Sequence, residues 1–192
     1  MSRKLILFLL IPAYLSLAGC GYKMKSQLDY ASPVAGKKIT VPIFANKSYR
    51  ANIGAILTES VVEEFARRSG GNVVSEDGAD LILSGAVLTY DSSAVSYTAQ
   101  DKVSEYRATI TAEATLTEKN TRRVIWKGTV SWSQVYPVNL RTGSRQQLPF
   151  TNFSGVVQQP NIALLQNSES AAIREICDKL AQQIYEIVAT GF

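Results

Sequence analysis

The sequence predicts an α+β fold: a two-layer sandwich with two amphipathic helices packed on one face of a mixed, mostly antiparallel sheet. Three observations predict it. Apolar and polar residues alternate from Tyr106 to Leu116, and one parity is again apolar from Val124 to Trp132, as expected of a long hairpin with one covered face. Two other stretches, one from Asn52 and one from about Ser168, carry apolar residues at three- and four-residue steps and read as helices. Between the first helix and the hairpin, Leu81 to Leu88 is a nearly continuous apolar run, suited to a central strand.

The first residues stand outside that fold. Arg3 and Lys4 precede the apolar run Leu5 to Ile11, Pro12 interrupts it, and Leu17-Ala18-Gly19-Cys20 closes the segment with small residues. A charged start, a short apolar stretch and a small-residue end describe a secretory signal, and the stretch is too short and interrupted to span a bilayer stably. The last four residues also resemble the lipobox of bacterial lipoproteins. That resemblance makes Cys20 the lipid attachment site and the first mature residue. Several acyl chains, at about 0.8 kcal/mol per buried CH₂, would then hold the protein permanently to a membrane. Gly21 stands where the lipoprotein pattern has Asp for inner-membrane retention, which implies the outer membrane, with the protein on its periplasmic side. The expected division is a signal peptide over 1–19, a lipidated tether over 20–37 and one α+β domain over 38–192.

The tether is polar, contains Ser32-Pro33 and Gly36, and shows no sustained period. After it, Ile39, Val41 and Ile43 alternate with Thr40, Pro42 and Phe44, predicting a short strand with Pro42 at an edge or an end. Asn46-Lys47-Ser48 makes a turn. In the first helix Ile53, Ile56, Leu57, Val61 and Phe65 form the stripe, and Gly70-Gly71 supplies the stop. Asn72 to Ser75 suits a short strand, and Asp77-Gly78 a turn into the central strand. A polar stretch from Asp91 to Ser104 separates that strand from the hairpin. In the hairpin the even residues from Tyr106 to Leu116 face the core, opposite Arg107, Thr109, Thr111, Glu113 and Thr115. Glu118 to Thr121 turns the chain, and Val124, Trp126, Val130 and Trp132 return on one parity. Pro137 to Pro160 has no periodic segment and is too long for an ordinary connector. The last helix carries Ile173, Ile176, Cys177, Leu180, Ile184, Ile187 and Val188 on one stripe.

Composition excludes several functions. The 192 residues contain no His, so His-based nucleophilic triads and His-ligated metal sites are ruled out. Of the two Cys residues, Cys20 is consumed by lipid, so Cys177 has no intrachain disulfide partner and reads as a small core hydrophobe. Residues 1–19 carry only Arg3 and Lys4 as charges, so their removal lowers the net charge from +4 to +2, too little and too scattered for nucleic-acid binding. No Walker loop, dinucleotide fingerprint or paired Cys ligand set is present, and Asp77 and Asp80 are explained by a turn and a strand entry. The expectation is a protein that is not an enzyme and takes no cofactor and no metal.

Several segments together resemble the LPS-assembly lipoprotein LptE family: Cys20-Gly21-Tyr22, the run Ile39 to Asn46, the run Ala79 to Gly85, Ser104-Glu105-Tyr106-Arg107, and Pro160 to Leu165. The resemblance implies a non-enzymatic partner of the β-barrel LptD that occupies the barrel lumen, helps it assemble, and contacts lipopolysaccharide on its way to the outer leaflet. The Thr-rich sheet face is compatible with such a wet interior. Where family members carry basic residues near the last helix entry and before the hairpin, this chain has Gln166 and Lys102. Lys102 and Arg107 are therefore the lipopolysaccharide-binding candidates. The Val-Pro-x-Phe-x-Asn-x-Ser and Ala-Asp-Leu-x-Leu-x-Gly segments also resemble outer-membrane lipoproteins of the curli-export or synthase-activator type, which is the alternative.

Overall fold

The computed structural model describes residues 33–68, 72–138 and 162–190, the side chains of 162–165 excepted. In chain order the elements are β1 (Ile39–Thr40), β2 (Ala45–Asn46), α1 (Ile53–Arg68), a 3-10 turn (Glu76–Gly78), β3 (Leu81–Tyr97), β4 (Val103–Glu118), β5 (Val124–Pro137) and α2 (Ile162–Thr190). The sheet runs β1-β3-β4-β5, with β2 also on β3. β1 and β2 lie parallel to β3, and β3, β4 and β5 are successively antiparallel. The two helices cover one face, so the predicted two-layer α+β arrangement is the one adopted.

The period-2 pattern of β4 decides which face is covered. Ala108, Ile110, Ala112, Ala114 and Leu116 are fully buried. Three of these five are Ala, which leaves room for larger side chains from the helices above. Those are Ile53, Leu57, Val61 and Phe65 of α1, and Ile173, Ile176, Leu180, Ile184 and Val188 of α2. Cys177 lies in the same stripe, and burial, followed by the nearby Asp178 carboxylate, pushes its thiol up to about 12. The helices run parallel: Arg50, just ahead of α1, pairs with Glu169, Ser60 donates to Asp178 at 2.7 Å, and Phe65 meets Tyr185 edge-on.

The first strand departs from its expected form. Instead of one strand with Ile39, Val41 and Ile43 inward, the chain pairs at Ile39–Thr40, leaves β3, and pairs again at Ala45–Asn46. Pro42 lies in the gap, where its missing N–H costs no ladder bond. The detour reverses the face, so Phe44 is 2% exposed and Ile43 is 79% exposed. Phe44 is held from both sides. Its N–H donates to Thr58 Oγ1 at 2.9 Å, and its ring lies over Gly85 of β3.

Three other boundaries differ. β3 continues to Tyr97 and β4 starts at Val103, so most of the polar stretch from Asp91 to Ser104 is strand. The turn left between them is built on Thr98, whose N–H donates to Lys102 O at 2.8 Å, with Asp101 at φ 55°. α2 starts at Ile162, not near Ser168. The short strand expected over Asn72 to Ser75 is a single bridge between Val73 and Ile39. The expected stop at Gly70-Gly71, the signal peptide, Cys20 and nearly all of the Pro137 to Pro160 stretch lie outside the described residues. No helix among the described residues is long and apolar enough to cross a membrane.

Gly85 shows how close the backbone and ring must come. A Cβ placed there falls 2.6 Å from Phe44 Cδ1 and 2.5 Å from the Glu113 carbonyl oxygen. Gly85→Ala is therefore expected to cost about 1–3 kcal/mol through overpacking. Denaturant unfolding of the full chain checks this, and an unchanged midpoint would contradict the packing described.

Candidate functional site

The sheet face away from the helices is open and polar. β4 contributes Arg107, Thr109, Thr111, Glu113 and Thr115, opposite Ser93, Asp91, Thr89, Ala86 and Ser84 of β3. On the other side the same residues face Val135, Ser133, Ser131, Thr129 and Lys127 of β5. Hydroxyls pair across the strands, Thr109 with Ser133 at 2.8 Å and Thr111 with Ser131 at 3.1 Å, and Lys127 pairs with Glu113 at 3.0 Å. The face thus satisfies much of its polar surface internally and presents small side chains to whatever adjoins it.

Arg107 belongs to this face and is exposed, with Ser93 and Val135 as its cross-strand neighbours, so no carboxylate sits directly opposite it. Lys102 is exposed on the β3–β4 turn, beside the 61% exposed Tyr97. Neither side chain makes an ion pair among the described residues. The structure places both at the same end of the sheet but does not bring them to one point. Five residues of extended chain separate them by roughly 16 Å.

A second polar group, absent from the sequence reading, lies on the helix side near that end. The Glu169 carboxylate of α2 accepts from Tyr90 Oη at 2.6 Å and from Arg50 Nη2 at 3.0 Å, joining β3, α2 and the loop before α1. Asn46 shapes that loop, donating to Arg50 O at 2.7 Å and accepting from Ser48. Burial, then the Glu169 hydrogen bond, raises the Tyr90 hydroxyl far above its ordinary range. Tyr136 pairs with Ser92 at 2.9 Å and stacks on Tyr106. The signal that would have found these residues is the parity of Tyr106 and Tyr136 with the core positions of their strands.

A shallow cleft of ≈180 Å³ between the helices is lined by Ser60, Glu63, Glu64, Arg67, Asp178 and Gln182. Its buried Glu64 is engaged by Arg67 and by Arg68, the latter at 2.5 Å, and Arg68 also lies over the Tyr185 ring. Both ion pairs lie within α1, and of these side chains Arg68 alone reaches α2, through the Tyr185 ring and Glu186 at 3.8 Å. Among the described residues no group of His, Cys, Asp and Glu has a metal-holding arrangement.

A family model described as LptE, lipopolysaccharide-assembly, matches residues 36–186. No curated protein sequence matches the chain. Among solved structures, lipoprotein B from Nitrosomonas europaea has 12% identity over 88% of this chain and 90% of its own, with a TM-score of 0.50. The rare lipoprotein B from Shewanella oneidensis has 16% identity over 79% and 94%, TM-score 0.46. A lipoprotein from Caulobacter crescentus has 13% identity over 87% and 96%, TM-score 0.47. At its identity the first of these shows a shared fold alone.

Proposed function

The chain belongs to the LptE lipopolysaccharide-assembly family, and on that premise we propose that it is a non-enzymatic subunit that pairs with the β-barrel LptD and helps deliver lipopolysaccharide to the outer leaflet. The observation that carries this reading is the open sheet face. It exposes rows of Thr and Ser with one internal ion pair and no covering element among the described residues, which suits contact with a hydrated, hydrogen-bonding barrel interior. A protein–protein contact of this kind draws on many weak hydrogen bonds and trapped water more than on an apolar patch.

The ends of the domain have different roles in this proposal. The described chain begins beside the β4–β5 turn, where Lys37 pairs with Glu118 at 3.7 Å and the Lys38 N–H donates to Asp80 at 2.9 Å. The β3–β4 turn lies at the far end of strands that extend about 50 Å. A lipid on Cys20, joined through the tether to the first end, would hold that end to the outer membrane on the periplasmic side. Lys102 and Arg107 would then stand at the other, available to lipopolysaccharide phosphates.

Depletion and mass spectrometry test the two halves separately. Depletion should lower LptD abundance and surface lipopolysaccharide, and tagged protein should co-purify with a large barrel in equal amounts. Unchanged LptD and lipopolysaccharide would overturn the reading and favour the synthase-activator alternative. Cys20→Ser should leave an unprocessed precursor, whereas an unmodified Cys20 in the wild-type envelope protein would refute the anchor.

A further inference from the structure

Tyr49 stands 76% exposed on the loop between β2 and α1, and the loop that carries it is braced on both sides. Asn46 Nδ2 donates to Arg50 O at 2.7 Å, and Asn46 Oδ1 accepts from the N–H and the hydroxyl of Ser48. The Lys47 N–H donates to Val87 O of β3 at 2.9 Å. One side of the Tyr49 ring rests on Tyr90, with centroids 5.5 Å apart and planes tilted by 59°. Tyr90 is itself buried, so the core gains little from a second ring left mostly in water. An aromatic ring held outward on a fixed loop suits recognition better than packing.

The groups beside the ring indicate the chemistry of a ligand. Arg50 Nη2 donates to Glu169 Oε2 at 3.0 Å, while Glu169 Oε1 accepts from Tyr90 Oη. The Arg50 and Glu169 side chains are 37% and 21% exposed, so both still reach solvent. A guanidinium has five N–H donors and a carboxylate about four lone-pair sites, so each partner keeps capacity for further hydrogen bonds. Because their charges cancel, the pair holds little attraction for a phosphate, in contrast to Lys102 and Arg107. It suits hydroxyl groups, which use a donor and an acceptor side by side. A flat apolar face next to such a pair matches a pyranose ring, with C–H groups on its face and hydroxyls around its edge. We propose that Tyr49, Arg50 and Glu169 form a subsite for an uncharged sugar ring of lipopolysaccharide, with Tyr49 against its C–H face and the Arg50 and Glu169 pair on its hydroxyls. This subsite rests on the proposed lipopolysaccharide function and adds a saccharide contact on the helix side of the sheet, apart from the phosphate contacts at Lys102 and Arg107.

The probe is the core oligosaccharide of lipopolysaccharide, freed of acyl chains and phosphates and titrated calorimetrically into the full chain. Tyr49→Ala should weaken its binding about tenfold, the worth of covering roughly 55 Å² of apolar surface, and Tyr49→Phe should keep it because the face remains. Arg50→Lys keeps the charge but loses the planar fork, and should weaken binding as well. Ile43→Ala removes an equally exposed apolar side chain from the segment before β2 and should change nothing. The melting temperature of Tyr49→Ala should match that of the wild type, since the ring is mostly in water. Undiminished oligosaccharide binding by Tyr49→Ala overturns the subsite. A loss confined to phosphorylated lipopolysaccharide does so too, because the contact is then electrostatic, and a loss confined to co-purification with LptD assigns Tyr49 to the barrel instead. If the wild type binds whole lipopolysaccharide but not the dephosphorylated oligosaccharide, the subsite is refuted and the proposed function stands. If it binds neither, the lipopolysaccharide function falls and the subsite with it.

Discussion

Phe44→Ala is expected to destabilise the protein by about 3–5 kcal/mol, the range for removing a buried phenylalanine when the cavity collapses only partly. Collapse is restricted here because the ring is bounded by backbone. Gly85 lies beneath it, and α1 approaches the Phe44 main chain through Gly54 and the Thr58 hydroxyl. Against a usual total of about 5–15 kcal/mol, the loss is at least about a fifth of the stability. In a chain of this size it should lower the melting temperature by about 10 °C. Ile43→Ala is the matched comparison. That side chain is 79% exposed, and its removal should change stability by less than about 0.5 kcal/mol. Calorimetry of both variants decides the point: equal losses would mean that the two neighbouring side chains are not divided between core and solvent as described.

The same pair shows where the sequence was legible and where it was not. On β4 the alternation identifies the core face because one side packs on helices and the other on nothing that demands apolar residues. Every even position from Ala108 to Leu116 is buried accordingly. The alternation over Ile39 to Phe44 looks similar but misleads, because it assumes continuous pairing. Pro42 interrupts the ladder, the chain pairs with β3 at two separate places, and the parity shifts at the detour. The parallel sense of β1 and β2 depends on where α1 returns the chain, which no local pattern encodes.

Polar strand ends were hidden for a different reason. From Asp91 to Tyr97, β3 is held to β4 by its backbone ladder and by side-chain bonds such as Ser96 to Glu105 at 2.6 Å, so apolar residues are not required there. A hydrophobic period is silent in such a segment. Glu169 is a comparable case, since its partners Tyr90 and Arg50 come from distant parts of the sequence. Lys102 and Arg107 were legible as cations near the hairpin start. Their separation along the strand followed only once Val103 proved to be the first residue of β4.

That separation shapes the expected effect of changing them. Replacing both Lys102 and Arg107 by Glu should weaken lipopolysaccharide binding by more than replacing both by Ala. Each cation placed against a phosphate makes a charge-assisted hydrogen bond, and guanidinium can make two in parallel. Loss of one such contact is worth about 1.5 kcal/mol, or roughly tenfold in affinity, so the double Ala variant should lose about a hundredfold. Glu adds repulsion to that loss. Because the two side chains lie roughly 16 Å apart, they would meet different phosphates, and the single-variant losses should add in free energy. Arg122→Ala with Arg123→Ala provides the comparison, since both are exposed on the β4–β5 turn at the other end of the sheet. Binding should be measured on the full chain from low to high salt, because contacts made by exposed charges are screened over about 10 Å at 0.1 M. Equal losses at the two ends would reduce the effect to general electrostatics. No loss at Lys102 and Arg107 would remove them as the contact.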